Sequence, residues 1–263
     1  MRQAFLTVDL GFGDAGKGSI VDFLTRTYEA HMVVRYNGGA QAGHRVVATA
    51  ADGVTTQEHV FAQFGAGTLA GAATHLSRFM LLEPLAMLAE EAHLQTLGVT
   101  DAFQRTTIDA RAVVVTPFQR AVNRAREVAR GVGRHGSCGM GIGEAMADYL
   151  AHGPHVLLAG DLADRDRLYA KLTFLRALNL QKVQALQPHS DVWAAVATEL
   201  ELLLDPAWDE WLLDAYGEFV AQAQIVPGHY LTARLAQPGA VVFEGAQGGL
   251  LDEWDGFHPC TTW

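Results

Sequence analysis

An α/β fold with a mostly parallel, doubly wound sheet is what this sequence predicts, and three observations predict it. Short apolar runs rich in β-branched residues alternate with longer stretches of helical periodicity. The first run opens into a P-loop-like glycine loop that is followed at once by a helical pattern, the start of a βαβ unit. Hydrophobic residues make up 49% of 263, enough to cover both faces of a sheet and to fill helical insertions as well.

In chain order, residues 4–10 read as a buried strand and residues 11–18 as the glycine loop. Residues 19–24 read as a helix with Ser19 near its start. Residues 31–36 form the next strand and run into Asn37, Gly38 and Gly39. Further strands are expected at 59–62, 112–115, 155–158 and 240–243. Helices are expected at 81–97, 119–130, from 191 to about 204, and at 209–223, with residues 187–190 as a loop. The stripe of Trp211, Leu212, Ala215 and Phe219 belongs to core packing. With no repeat or low-complexity linker, residues 1–263 read as one domain with helical insertions.

The 29 acidic residues exceed the 19 Lys and Arg, for a net charge of −10. Such a surface repels a phosphodiester backbone, so no nucleic-acid partner is expected. Two cysteines, Cys138 and Cys260, argue against a disulfide framework and fit a reducing compartment. Residues 1–3 lead straight into a strand, so no signal peptide is expected. No apolar run approaches the ~18 residues that cross a membrane, and a cytoplasmic protein is expected.

Residues 11–17 fit G-x-x-x-x-G-K. Glycines let several N–H groups point at one phosphate, the helix start adds partial positive charge, and Lys17 brings a full one. Gly13, Gly16, Lys17 and Gly18 are the candidate phosphate-binding residues. Gly18 stands where a P-loop NTPase carries the Ser or Thr that holds Mg²⁺, so Asp14 is the candidate metal ligand, a carboxylate for a hard cation. A second glycine loop, 35–44, offers Gln41 and the proton donor His44. At the carboxyl ends of neighbouring strands, the two loops can share one crevice. The third loop, 135–143, reads either as an anion nest of backbone N–H groups or as a hinge. The fourth, 242–252, follows a strand and carries Gln247, whose carboxamide can read a purine edge.

Together these segments resemble the adenylosuccinate synthetase family. Residues 12–19 stand in place of its W-G-D-E-G-K-G-K, 35–44 match R-Y-x-G-G-x-N-A-G-H with Gln41 for Asn, 136–143 match G-T-T-G-R-G-I-G, and 243–252 match F-E-G-A-Q-G-x-L-L-D without a break. The resemblance implies a ligase that phosphorylates the 6-oxo group of IMP with GTP and displaces it with L-aspartate, using Mg²⁺, as a homodimer. It implies that Asp14 takes the N1 proton and binds Mg²⁺ with the Gly43 carbonyl, that His44 stabilises the transferring phosphoryl group, and that Lys17 holds the GTP phosphates. It also implies that Gln41, Ser137, Cys138, Gln247 and Thr262 bind IMP.

The departures are Ala15, Ser19, Cys138, Met140 and His152, in places of Glu, Lys, Thr, Arg and Arg. Residues 257–263 resemble a family segment well short of the family's C-terminus, so the family's C-terminal part is expected to be missing. Two close alternatives are a phage-type variant acting on dGMP with ATP, which tends to lack the loop Asp, and a non-catalytic nucleotide-binding remnant. A plain P-loop NTPase is a third, disfavoured by Gly18.

Overall fold

A computed structural model describes all residues except 51 and 187–192. The chain enters its central sheet at once through β1 (Arg2–Asp9), turns through the glycine loop and forms α1 (Lys17–Thr27). β2 (Met32–Arg35) follows, then a hairpin of β3 (His44–Thr49) and β4 (Thr56–Phe61), then β5 (Ala73–Leu76), β6 (Leu81–Leu82) and α2 (Pro84–Thr96). β7 (Thr106–Asp109) and β8 (Val113–Val114) lead into α3 (Pro117–Ala129), α4 (Ile142–His152), α5 (Arg165–Gln184), α6 (Trp193–Leu204) and α7 (Ala207–Val220). β9 (Gln224–Val226), α8 (Tyr230–Leu235) and β10 (Gly239–Gly248) close the fold.

The main sheet has six strands in the order β1-β10-β2-β5-β7-β9, all parallel. The last strand in sequence is thus inserted between the first two, which brings the loops after β1, β2 and β10 to the same end. Strand alternation divides the core. Val33 and Val242 point into the large cluster with Val21 of α1, while Met32, Val34 and Val241 form a small cluster under Leu231 and Leu235 of α8. Helices therefore lie on both faces, as the doubly wound reading requires. α3 to α7 pack on one another as the helical insertion. Helix starts follow ordinary capping chemistry: Glu83 before α2 accepts from the Ala86 N–H at 2.7 Å and Pro84 follows it, while Thr116 and Gln119 form a capping box at the start of α3.

Several expected elements differ. Residues 59–62 supply the end of β4, which pairs antiparallel with β3 outside the main sheet. Residues 112–115 shrink to β8, which pairs with β6 outside the main sheet. Residues 155–158 are not a strand: a 3-10 turn ends at His155, and Leu158 makes a single bridge to Val113. The helix expected from residue 81 starts at Pro84, because Leu81 and Leu82 are taken by β6. α6 is described from Trp193, so its expected first residues and the 187–190 loop lie outside the described residues. β5, β7, β9 and the 20-residue α5 carry no sequence expectation at all.

His75 of β5 is buried, bonded to the Thr107 hydroxyl at 2.9 Å and stacked on Tyr230 of α8. Burial pushes its pKa down to about 4 from 6.5, against the pull of Asp109. The unfolded chain therefore binds this proton where the folded one does not, and stability falls as pH drops from 6.5 to 4. At ~1.4 kcal/mol per unit this amounts to ~3 kcal/mol. Urea unfolding across that range should show the loss, and His75→Gln should flatten it.

Candidate functional site

The first loop is shaped by an anion of its own. Asp9, the last residue of β1, is 4% exposed; its carboxylate accepts from the Gly11 N–H at 2.7 Å and the Ala15 N–H at 2.9 Å. These amide bonds, with the Lys17 charge 3.6 Å away, hold its pKa below the usual carboxylate value despite burial. Gly13 and Gly16 take φ of 91° and 84°, a left-handed geometry that glycine adopts freely, and Gly16 caps α1. The Lys17 Nζ folds back on the loop and donates to the Gly13 carbonyl at 3.0 Å.

The missing P-loop hydroxyl has a steric cause. A Cβ on Gly18 would lie 2.7 Å from the Arg45 carbonyl oxygen, because α1 packs directly on β3. The loop also backs onto the strand between β1 and β2: a Cβ on Gly248 would lie 2.1 Å from the Gly11 oxygen and 2.4 Å from the Gly13 nitrogen. Only bare backbone fits there.

His44 opens β3 and is 4% exposed. Its Nδ1 bonds the carboxylate of Glu244, a fully buried residue on β10, and its Nε2 lies 3.4 Å from the Ala246 carbonyl. Glu244 also accepts from the Ala66 N–H at 2.9 Å and lies 4.0 Å from the buried Arg35 guanidinium. Burial opposes its ionisation, but the Arg35 charge and the His44 bond outweigh it and hold the carboxylate below its usual range. An ionised carboxylate only accepts, so the proton of this pair sits on Nδ1 of His44.

Asp14, Gly13, Gly16, Lys17, Gly18, Gly43 and His44 line one cleft of about 310 Å³, together with Ser19, Arg45 and Val47. Asp14 is exposed there and makes no side-chain hydrogen bond or ion pair among the described residues. No group of three or more His, Cys, Asp or Glu that could hold a metal occurs among the described residues. The donors present, a free carboxylate at Asp14 and the main-chain oxygen of Gly43, still suit Mg²⁺, which takes one or two protein oxygens and completes its shell with water and phosphate.

The second loop is a partition. Its end lines that cleft, and its beginning (Tyr36, Asn37 and Gly38) lines another of about 320 Å³ with mostly apolar walls, among them Met80, Leu81, Trp254 and Trp263. Gln247 and Thr262 line this second cleft. Asn37 donates to the Gln247 side-chain oxygen at 3.0 Å and accepts from the Ala246 N–H at 2.9 Å. Gln247 Nε2 donates to the Thr262 carbonyl at 3.3 Å, and Gln41 Nε2 to the Trp263 carbonyl at 3.3 Å.

Ser137 and Cys138 are not brought to either cleft. They line a third with Arg124 and Arg134, and the nest of the third loop already holds an anion: Glu127 accepts from the Gly136 and Ser137 N–H groups at 2.9 and 3.3 Å. Asp9, Glu244, Arg35 and Asn37 were not singled out from the sequence. The available signal was position: Asp9 and Arg35 end strands and Asn37 stands two residues past one, each next to a glycine loop, whereas Glu244 lies inside β10 and carried no such signal.

A main sheet that is all parallel, with a glycine loop, lysine and helix after β1 and further glycine loops at the same carboxyl end, is the architecture of a P-loop-like α/β protein. Residues 7–263 match the family model for adenylosuccinate synthetase. The adenylosuccinate synthetase of Acidithiobacillus ferrooxidans is 32% identical over 266 residues, covering 100% of this chain and 56% of its own length. That of Legionella pneumophila strain Paris is 34% identical over 269 residues, with the same coverage. Among solved structures, fully ligated adenylosuccinate synthetase from Plasmodium falciparum superposes with a TM-score of 0.72 at 18% identity, over 100% of this chain and 55% of that one. Cyanophage S-2L succinoaminodeoxyadenylate synthetase, bound to dGMP and dATP, gives 0.63 at 20% identity, over 100% and 56%. The chain belongs to the adenylosuccinate synthetase family and spans about half the length of the relatives it matches.

Two stability predictions follow from the packing. Gly248→Ala should cost 1–3 kcal/mol or more in urea unfolding, as overpacking does, whereas Gly143→Ala on α4, with nothing within 4 Å of a new Cβ, should be neutral or stabilising. Glu244→Gln removes the counter-charge of buried Arg35 and should cost about 3–5 kcal/mol by the same measurement.

Proposed function

We propose that this chain carries the nucleotide-activating chemistry of an adenylosuccinate synthetase: transfer of the GTP γ-phosphoryl group to the 6-oxo oxygen of IMP, then displacement of phosphate by L-aspartate. The observation that carries the reading is the meeting of Asp14, Lys17 and His44 on one cleft, with no other partner on the Asp14 carboxylate. In this reading residues 1–263 act as one cytoplasmic nucleotide-binding domain.

Each residue then has a physical task. Asp14 accepts the N1 proton of the purine, which concentrates charge on O6 and makes it the nucleophile. O6 attacks the γ-phosphorus; the O6–P bond forms, the bond to the β-phosphate oxygen breaks, and GDP leaves. Lys17 and the N–H groups of Gly16 and Gly18 neutralise the phosphates, while Gly13 lets the backbone approach them. With Glu244 accepting from Nδ1, His44 is held in one orientation, and in its imidazolium form, with both ring nitrogens protonated, it would donate through Nε2 toward the transferring phosphoryl oxygens. Asp14 and the Gly43 carbonyl would hold Mg²⁺, which when bound would supply charge neutralisation for the phosphates. The amine of aspartate then attacks C6, the C6–O bond breaks with phosphate as leaving group, and the amine proton is lost to give adenylosuccinate.

The apolar cleft lined by Gln247 and Thr262 suits a purine ring, with Gln41 at its margin. Ser137 and Cys138 can take the IMP phosphate only when Glu127 leaves the third-loop nest. A homodimer is part of the reading, and exposed Tyr149 and Leu150 on α4, near His152, give a second copy an apolar surface. dGMP with ATP is the second substrate pair to test, because the superposable cyanophage enzyme is bound to dGMP and dATP.

Purified protein should be incubated with IMP or dGMP, GTP or ATP, aspartate and Mg²⁺, and the nucleotides analysed by mass spectrometry. A succino-nucleotide is expected, with Asp14→Ala and His44→Ala each lowering its rate by 10² or more. Nucleotide binding with no product in any combination overturns the reading in favour of a non-catalytic binding protein.

A further inference from the structure

The charges around the phosphate cleft are unevenly committed. One carboxylate, Asp14, and three basic side chains, Lys17, His44 and Arg45, line it. Lys17 lies 3.6 Å from buried Asp9, and the same Asp9 carboxylate already takes the Ala15 N–H of the loop. Moving Lys17 away would strand a buried carboxylate, so its charge meets a phosphate already partly offset. His44 is bonded to buried Glu244. Arg45 is different. Its side chain is 65% exposed, and its Nε donates at 2.7 Å to Glu58, which is itself 51% exposed. An exposed pair of this kind contributes little stability, so Arg45 leaves Glu58 easily.

The hairpin aims that side chain at the cleft. Strand alternation puts Arg45 on the same face of β3 as Val47, and both line the cleft. Glu58 stands opposite Val47 in the hairpin register, which keeps the paired guanidinium beside a residue of the cleft wall. The Arg45 backbone is fixed against the first turn of α1: a Cβ on Gly18 would lie 2.7 Å from the Arg45 oxygen and 3.1 Å from its nitrogen. The guanidinium is thus carried from a point in contact with the helix start, where N–H groups are free to receive phosphate.

We propose that Arg45 is a further phosphate-binding residue of this cleft, exchanging Glu58 for phosphate oxygens of a bound nucleoside triphosphate. The inference rests on the nucleotide-binding reading above and adds a residue to which that reading gives no task. Among the basic groups that line the cleft, Arg45 alone is not set against a buried carboxylate. A triphosphate brings several negative charges into a cleft that already contains Asp14, and an uncommitted cation answers them. The guanidinium also offers a planar fork of N–H donors that matches two phosphate oxygens at once. Glu58 competes with the nucleotide for that fork. Opening the pair leaves no buried group without a partner, since both side chains face solvent.

Calorimetric titration of the purified chain with GTP or ATP and Mg²⁺, without IMP or aspartate, reads binding apart from turnover. Arg45→Ala should raise the triphosphate Kd about tenfold or more, the scale of one hydrogen bond to a charged group. Arg45→Lys keeps the charge and loses the fork, and its Kd should fall between the two. Glu58→Gln removes the competitor and should tighten binding about twofold or more, the scale of an exposed pair. Arg165→Ala removes a comparably exposed ion pair, with Asp214, that does not line the cleft, and should leave Kd unchanged. All four variants alter exposed side chains, so circular dichroism and urea midpoints should match the parent chain. Triphosphate binding by Arg45→Ala as tight as the parent's overturns the proposal and leaves the nucleotide-binding reading standing. So does an equal loss in Arg165→Ala, which would assign the effect to net charge. A loss in Glu58→Gln as large as in Arg45→Ala also overturns it, because the pair would then serve structure. A parent chain that binds neither triphosphate overturns both readings.

Discussion

One buried carboxylate organises the site. Glu244 sits on β10 with no exposure to solvent and contacts three other segments at once: Arg35 from β2, His44 from β3, and the Ala66 N–H from the loop after β4. A charge so deep is tolerable only when paired and hydrogen-bonded, and here it has a cation and two donors. Arg35 is equally buried; its Nη1 donates to the Phe64 carbonyl, while Nε and Nη2 have no partner among the described residues. Each group needs the other, so the insertion of β10 between β1 and β2 is coupled to the placement of His44 beside the phosphate loop.

Around that pair, the working surfaces are made of backbone. The first loop is bent by Asp9, which ties up the Gly11 and Ala15 amides from inside, so its shape does not wait for a bound phosphate. The absence of side chains at Gly18 and Gly248 lets α1 reach β3 and lets the fourth loop lie against the first. Closeness of this kind excludes the usual P-loop hydroxyl and leaves the exposed Asp14 carboxylate as the free oxygen donor of the cleft. The same packing separates two compartments with the second loop between them, polar on the Lys17 side and apolar on the Trp254 side. Such a division suits a reaction in which charged phosphates meet a flat heterocycle.

The sheet is asymmetric. Its β9 end is continuous with the helical insertion, while its β1 end shows leucine and valine to solvent directly beside the phosphate loop.

The local chemistry was legible in the sequence because it is written in consecutive residues. A strand, a G-x-x-x-x-G-K loop and a helix need no distant partner to be read, and Asp14, Lys17 and His44 were placed in one crevice by the strand-end rule alone. Elements whose stability comes from burial were not legible. α5 has buried Leu168, Leu172, Leu175, Asn179 and Val183 mixed with charged residues that find partners on other helices, as Lys182 does with Asp148 and Arg176 with Asp209. β5 and β7 contain Thr, His and Asp that read as loop until neighbours satisfy them, as Thr107 does for His75. Tertiary structure alone decided that residues 155–158 are not a strand: a 3-10 turn ends at His155, and the backbone that follows meets the two-residue β8 in a single bridge at Leu158. It also decided that Glu127 fills the third-loop nest, and that Glu244, rather than any residue near it in sequence, orients His44 across a separation of 200 positions. Periodicity and glycine spacing are properties of neighbours along the chain, whereas the pairing of buried charges depends on which strands lie side by side.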